Sequence, residues 1–257
     1  MRKAPDIKSV CESNRCLGCK TKHPLVSIIN LEHIDLNRES VKFEFYAILL
    51  IKNCNRGYCC GRRHYDYNCA TMVFLMPGDI LRMNESGLLP EKGWMLVLHP
   101  DLLCRTSLDQ RISNYSFFFY RKEEALHLSQ RETATIICCH QNIEEELKHA
   151  IDTHTATILC RQIELMLDYC LRFYERQFIT REIENKRFLE ELEVIQEECV
   201  DLLSIPSAEY CARRLGLSLP YFIDMLKFET GKTFEEYFEL RGFEDSSASG
   251  KCRYSQN

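Results

Sequence analysis

PSAEYCARRLGLSLPYFIDMLKFETGKTFEEYFEL, residues 206–240, decides how the chain is read. Ser207 can cap a helix, because its hydroxyl accepts a backbone N–H that the first turn leaves unpaired. Ala208, Cys211, Ala212 and Leu215 then fall at helical spacing on one apolar face. Gly216 closes that helix, where a left-handed conformation is easiest for glycine. Ser218 caps a second helix, with Pro220 in its first turn, where a missing N–H does no harm. Phe222, Met225, Leu226 and Glu229 continue it, and Gly231 ends it. Helix, short turn, helix is a pattern whose second helix can enter the major groove of DNA. Two such helices also occur in all-α proteins that touch no nucleic acid.

Working outward, the composition is that of an ordinary globular protein: 257 residues, 45% hydrophobic and 28% charged. No apolar run approaches the roughly 20 residues that span a bilayer. The start, MRKAPDIKSVCESNRC, has no apolar core of a secretory signal, so the expected location is cytoplasmic. The net charge of −5 advertises no nucleic-acid binder, and any contact with DNA must come from a local patch. Fifteen cysteines spread irregularly through a chain of this size read as reduced thiols serving as small core residues.

Residues 1–22 are polar and read as a disordered tail. Cys16-x-x-Cys19 has metal-ligand spacing, with Cys11 before it and His23 after it. Zinc modules pair two such sets across a longer loop, and the second set is missing; a redox pair is the other alternative. From His23 to residue 121 the texture is β. Leu25–Leu31 is apolar, and Val41, Phe43, Phe45, Ala47, Leu49 and Ile51 alternate on one face of a strand. Its other face, Tyr46, Ile48 and Leu50, is apolar too, so the strand is expected to be covered on both sides. Further strands are predicted at Arg56–Cys60, Thr71–Met76, Trp94–Leu98 and Tyr115–Phe119, with turns at Asn55–Gly57, Pro77–Asp79 and Glu91–Gly93.

Residues 122–203 read as helical. Glu123–Leu128 looks like a short helix. Ile136 to Ile151, Thr155 to Phe178 and Glu182 to Leu203 are longer amphipathic ones. The Thr155–Phe178 stretch is apolar round more than half its circumference, which predicts a homodimer. Residues 201–206 are a short linker. Residues 242–257, rich in Gly, Ser and charge, read as a disordered tail.

The residues Ala212, Leu215–Gly216, Ser218, Tyr221–Phe222, Leu226–Lys227, Thr230–Lys232, Phe234, Tyr237 and Arg241 resemble the first helix-turn-helix of the AraC/XylS family of bacterial transcription regulators. Gly57–Tyr58, Gly61, Tyr65–Asp66, Val73–Phe74, Pro77–Gly78 and Gly93–Trp94 resemble the cupin-type β-barrel found in many of its members. The resemblance implies an α+β chain in five parts. These are the tail 1–22, a cupin-like β-barrel at 23–121, a helical dimerisation region at 122–203, one helix-turn-helix at 204–241, and the tail 242–257. It also implies an unknown small-molecule effector and DNA as partners, and no enzyme. Cupin enzymes hold a metal on a His-x-His pair, a Glu and a further His; His64-Tyr65-Asp66 and His99 do not complete that set, so neither metal nor cofactor is expected.

The resemblance implies a second helix-turn-helix beyond Arg241, and here the pattern is lost at Gly242, as a truncation would leave it. The DNA-directed residues expected are Ser218, Leu219, Tyr221, Asp224 and Lys227 on the second helix, with Arg241 beyond it. Asp224 is suited to accept from a cytosine amine. Between Ile205 and Asp245 there are five basic and eight acidic residues, a balance of −3. Phosphate neutralisation supplies most non-specific affinity, so weak DNA binding is expected. The alternative is a dimerising interaction protein, a decoy that does not read DNA.

Overall fold

The computed structural model describes residues 6–32, 40–52, 66–82, 92–200 and 206–238. The chain divides into two compact units, Met1–Thr180 and Arg181–Asn257. In the first, β1 (Asp6–Ile7) and α1 (Val10–Cys16) precede β2 (Val26–Asn30), β3 (Ser40–Phe43), β4 (Tyr46–Lys52), β5 (Ala70–Leu75), β6 (Ile80–Arg82) and β7 (Gly93–Leu98). Next come α2 (Ser107–Arg111), β8 (Leu126–Leu128), α3 (Gln130–Glu146) and α4 (Thr155–Thr180). The second unit holds α5 (Glu182–Val200), α6 (Ala208–Arg214) and α7 (Leu219–Thr230). Among the described residues, no helix is long and apolar enough to cross a membrane.

The strands form two sheets. Five run in the order β2-β7-β4-β5-β8, all antiparallel, and three in the order β1-β3-β6. The expected closed barrel is not what these strands make: the larger sheet is open, with β2 and β8 as its edges. The reason lies at Glu44–Phe45, where a bend splits the predicted single strand and sends β3 and β4 into different sheets.

The alternation in that stretch still sorts the core. Val41, Phe43, Phe45, Ala47, Leu49 and Ile51 lie in one apolar layer with Ile7, Val10, Met95 and Val97. Ile48 and Leu50 face the other way, into a layer with Trp94, Leu96 and the inner faces of α3 and α4. The larger sheet is therefore covered on both sides, by the small sheet and by helices.

Several expectations are corrected. Residues 6–19 are structured rather than a disordered tail. Ser9 caps α1 by accepting from the Glu12 N–H, and Ile7, Val10 and Leu17 are buried. Tyr115–Phe119 is not a strand but 3-10 turns, because Tyr115, Phe117 and Phe118 all turn inward. Glu123–Leu128 is not a helix. A short turn ends at Glu124, and Leu126–Leu128 joins the sheet as β8. The third expected helix, α5, belongs to the unit that also holds α6 and α7, so 122–203 is not one region. Ile151 lies beyond α3 and is exposed. The strand at Arg56–Cys60, His64, the 201–205 linker, Arg241 and the 242–257 tail lie outside the described residues.

Ten cysteines are described as free thiols, and only Cys139, Cys160, Cys170 and Cys211 are buried. Cys11 and Cys16 are exposed, so the core-residue reading fails for them. Among the described residues no three His, Cys, Asp or Glu side chains gather as a metal-holding group. The His23 Nδ1 is committed to the Leu25 N–H at 3.1 Å. His99 accepts from the Asp101 N–H at 3.2 Å and starts a short 3-10 turn.

Two polar networks fix the helices on the sheet. The buried Glu164 of α4 accepts from Ser107 at 3.0 Å and from Arg111 at 2.7 Å, tying down α2. Asp168 accepts from Arg111 at 3.0 Å and from the Tyr115 hydroxyl at 2.7 Å. Burial, together with that bond to Asp168, raises the Tyr115 pKa well above the usual phenol range.

The second network holds the edge strand β8. Gln177 Oε1 accepts from the His127 N–H at 2.7 Å, and Gln177 Nε2 donates to the Ala125 carbonyl at 3.1 Å. Arg176 donates to the His127 carbonyl at 2.7 Å and to both oxygens of Glu132. The His127 ring lies 3.1 Å from the Thr71 hydroxyl and 3.9 Å from Asp66, all three being buried.

Burial holds both His23 and His140 below the ordinary imidazole value. The unfolded chain takes up these protons near pH 6.5, the folded chain only lower. Their contribution to stability is therefore complete above about pH 6.5 and lost as the pH falls toward the folded values. The Met1–Thr180 unit should melt at a lower temperature at about pH 5.5 than at about pH 7.5. His140→Phe should lessen that drop. A melting temperature that does not change over the range would contradict this.

Candidate nucleic-acid interface

The second unit is built round a short chain of aromatic rings. Phe188 of α5 meets Phe222 of α7 edge-on at 5.7 Å, and Phe222 meets Phe234 at 5.9 Å. Phe234 in turn lies 4.5 Å from Phe238 in a following helical turn at 234–238. Leu192, Ile195, Cys211, Ala212, Met225 and Leu226 fill in round them.

The caps form as their residue types dictate. Ser207 accepts from the Tyr210 N–H at 3.2 Å and Ser218 from the Tyr221 N–H at 3.3 Å. After α6 the Gly216 N–H bonds to Arg213 and the Leu217 N–H to Ala212, a paired closure that needs the left-handed Gly216 at φ 69°. Between α6 and α7 there are only four residues, Leu215 to Ser218.

α5 fixes α7 from behind. Buried Arg181 donates to the Tyr221 hydroxyl at 3.2 Å, and Asn185 donates to Glu229 at 2.6 Å. Tyr221 is thus a buried partner of Arg181, the residue just before α5; at 3% exposed it is corrected from a DNA-directed residue to a core one. Ser218 is buried as the cap of α7. Leu219 and Asp224 are half-buried on the outward arc, and Lys227 is exposed there.

Sequence reasoning missed Ile223 and Phe228 on the same arc, 38% and 39% exposed. The signal was available: once Phe222, Met225 and Leu226 point inward, positions 223, 227 and 228 point outward.

The charges sort in the same way. Arg214 is engaged with Glu198 at 2.7 Å and with the Tyr210 hydroxyl at 3.1 Å. Lys186 pairs with Glu182, and Arg187 with Glu191. Arg213, Lys227 and Lys232 are exposed and make no ion pair among the described residues. They are the cations available to a polyanion.

Comparison of the chain with protein-family models, with curated proteins and with solved structures finds no match.

Proposed function

We propose that the chain is a DNA-binding transcription regulator of the AraC type. In this reading α6 and α7 act as a helix-turn-helix, and the Met1–Thr180 unit serves for effector sensing and dimerisation in place of a cupin-like domain. The observation that carries it is the outward arc of α7. A capped helix of 12 residues stands four residues after α6, with Lys227 on its exposed face, Lys232 just beyond its C-terminus and Arg213 in the last turn of α6. A helix so presented suits the major groove, with flanking cations toward phosphates. The case for dimerisation is narrower than the sequence suggested, since most of the apolar surface of α4 is buried within its own unit. Ile158, Leu165 and Ile179 remain exposed on one stripe at heptad spacing, which suits self-association.

The test is the salt dependence of binding by the full chain to duplex DNA, read by fluorescence anisotropy. Three phosphate-neutralising cations give a slope of log K against log salt of about −2.7, and two heads in a dimer about twice that. For one head, affinity should fall about 40-fold between roughly 50 and 200 mM salt. Lys227→Ala should reduce the slope by about 1. Nanomolar binding at about 0.2 M salt would sink the weak-binding form of the proposal.

A second reading, the dimerising decoy, is favoured by the composition of the same arc. Ile223 and Phe228 flank a balanced Asp224 and Lys227, a surface better suited to protein than to phosphate. A dimer by light scattering with no DNA binding at low salt would select it.

A further inference from the structure

The composition of α7 restricts which base edges it can read. Its sequence, LPYFIDMLKFET, holds no Arg, Asn or Gln, the side chains that pair bidentately with guanine or adenine. Three of its polar groups are committed inside the unit. The Tyr221 hydroxyl accepts from Arg181, Glu229 accepts from Asn185, and Thr230 donates to the Leu226 carbonyl at 2.7 Å. The other two, Asp224 and Lys227, stand on the outward arc.

Leu219, Ile223 and Lys227 follow one another at intervals of four residues, along one line of the helix surface. Leu219 is half-buried and Ile223 exposed. A lone exposed apolar side chain needs no explanation. This pair occupies the first two turns of α7, the part of a recognition helix that meets base edges. The major groove offers one apolar group to such side chains, the C5 methyl of thymine. Four residues of helix rise about 6 Å, against about 3.4 Å per base pair, so the two side chains address base pairs about two steps apart. Isoleucine suits the contact, because its branched Cβ leaves few rotamers to be lost.

We propose that Ile223 is a specificity-determining residue that reads the C5 methyl of thymine in the major groove, with Leu219 one turn before it as a second apolar contact. This rests on the reading of α7 as the DNA-recognition helix, and it adds what that helix selects: T·A pairs, marked by their methyl groups. Lys227, a turn further on, keeps its place on a phosphate.

The test exchanges thymine for uracil, which pairs identically and lacks only the methyl. Duplexes that the full chain retains at about 50 mM salt are first selected from a random-sequence pool. They should carry thymine at fixed positions. Uracil at those positions should weaken binding about fourfold for each contacted methyl, read by fluorescence anisotropy. Ile223→Ala should bind the thymine duplex about fourfold more weakly than the parent does and the uracil duplex nearly as well. Its salt slope should equal the parent's, since Arg213, Lys227 and Lys232 are untouched. The side chain is exposed, so the variant keeps its fold.

Equal affinity for the thymine and uracil duplexes overturns the inference and leaves DNA binding in place. So does a selection that returns no sequence preference, or a uracil penalty that Ile223→Ala leaves undiminished. A pool from which the chain retains nothing removes the DNA reading itself, and this inference with it.

Discussion

Gly93→Ala should destabilise the Met1–Thr180 unit by about 4 kcal/mol. Gly93 begins β7, which lies between β2 and β4, and its backbone is held from both sides. Its carbonyl accepts from Leu31 at 3.0 Å, and the neighbouring Lys92 carbonyl accepts from Lys52 at 2.9 Å. A Cβ at this position would collide with the Leu50 carbonyl oxygen and stand 3.1 Å from the carbon bearing it. Both are backbone atoms in the middle of the sheet, so no side chain can swing aside. The φ of 152° is itself one that side chains rarely adopt. Backbone strain of about 1–3 kcal/mol adds to ladder hydrogen bonds worth about 1 kcal/mol each. A total near 4 kcal/mol lowers the melting temperature by about 8–16 °C in a unit of this size. Calorimetry reads this directly, and a variant melting within about 2 °C of the parent would contradict it.

Phe222→Ala should abolish the fold of the Arg181–Asn257 unit while leaving the other unit standing. Phe222 is fully buried and joins Phe188 to Phe234, linking α5, α7 and the following helical turn through one side chain. Removing a core phenylalanine costs about 3–5 kcal/mol. A unit this small buries too little surface to absorb such a loss. Hydrogen exchange should show α5, α6 and α7 losing protection together, and DNA affinity should vanish with them. Protection of the helices surviving at the parent level would show that the ring chain does not organise this unit. In each of these two variants the unaltered unit is the internal control.

The parts that sequence made legible were those with a sustained period. Val41 to Ile51 alternates long enough to show a two-sided strand. It could not show the bend at Glu44–Phe45, because both flanking pieces keep the same alternation. Leu126–Leu128 is too short to display any period, and it joins the sheet only because Met72 and Ala70 stand opposite it. Tyr115–Phe119 carries strand-forming residues, yet tertiary burial of three rings on one side outweighed that propensity.

In the C-terminal helices the caps were legible from residue type alone: Ser207, Gly216, Ser218 and Gly231 all act as expected. The role of Tyr221 was not, because its partner Arg181 is 40 residues away in sequence.

The amide of Gln177 has one more consequence. It bonds to the edge strand as a neighbouring strand would, taking the His127 N–H and giving to the Ala125 carbonyl. Arg176 takes the next carbonyl. An open sheet usually offers such an edge to any passing strand, the first step in aggregation and domain swapping. Here two side chains of one helix occupy that edge, so the open sheet resists polymerising through β8 without closing into a barrel.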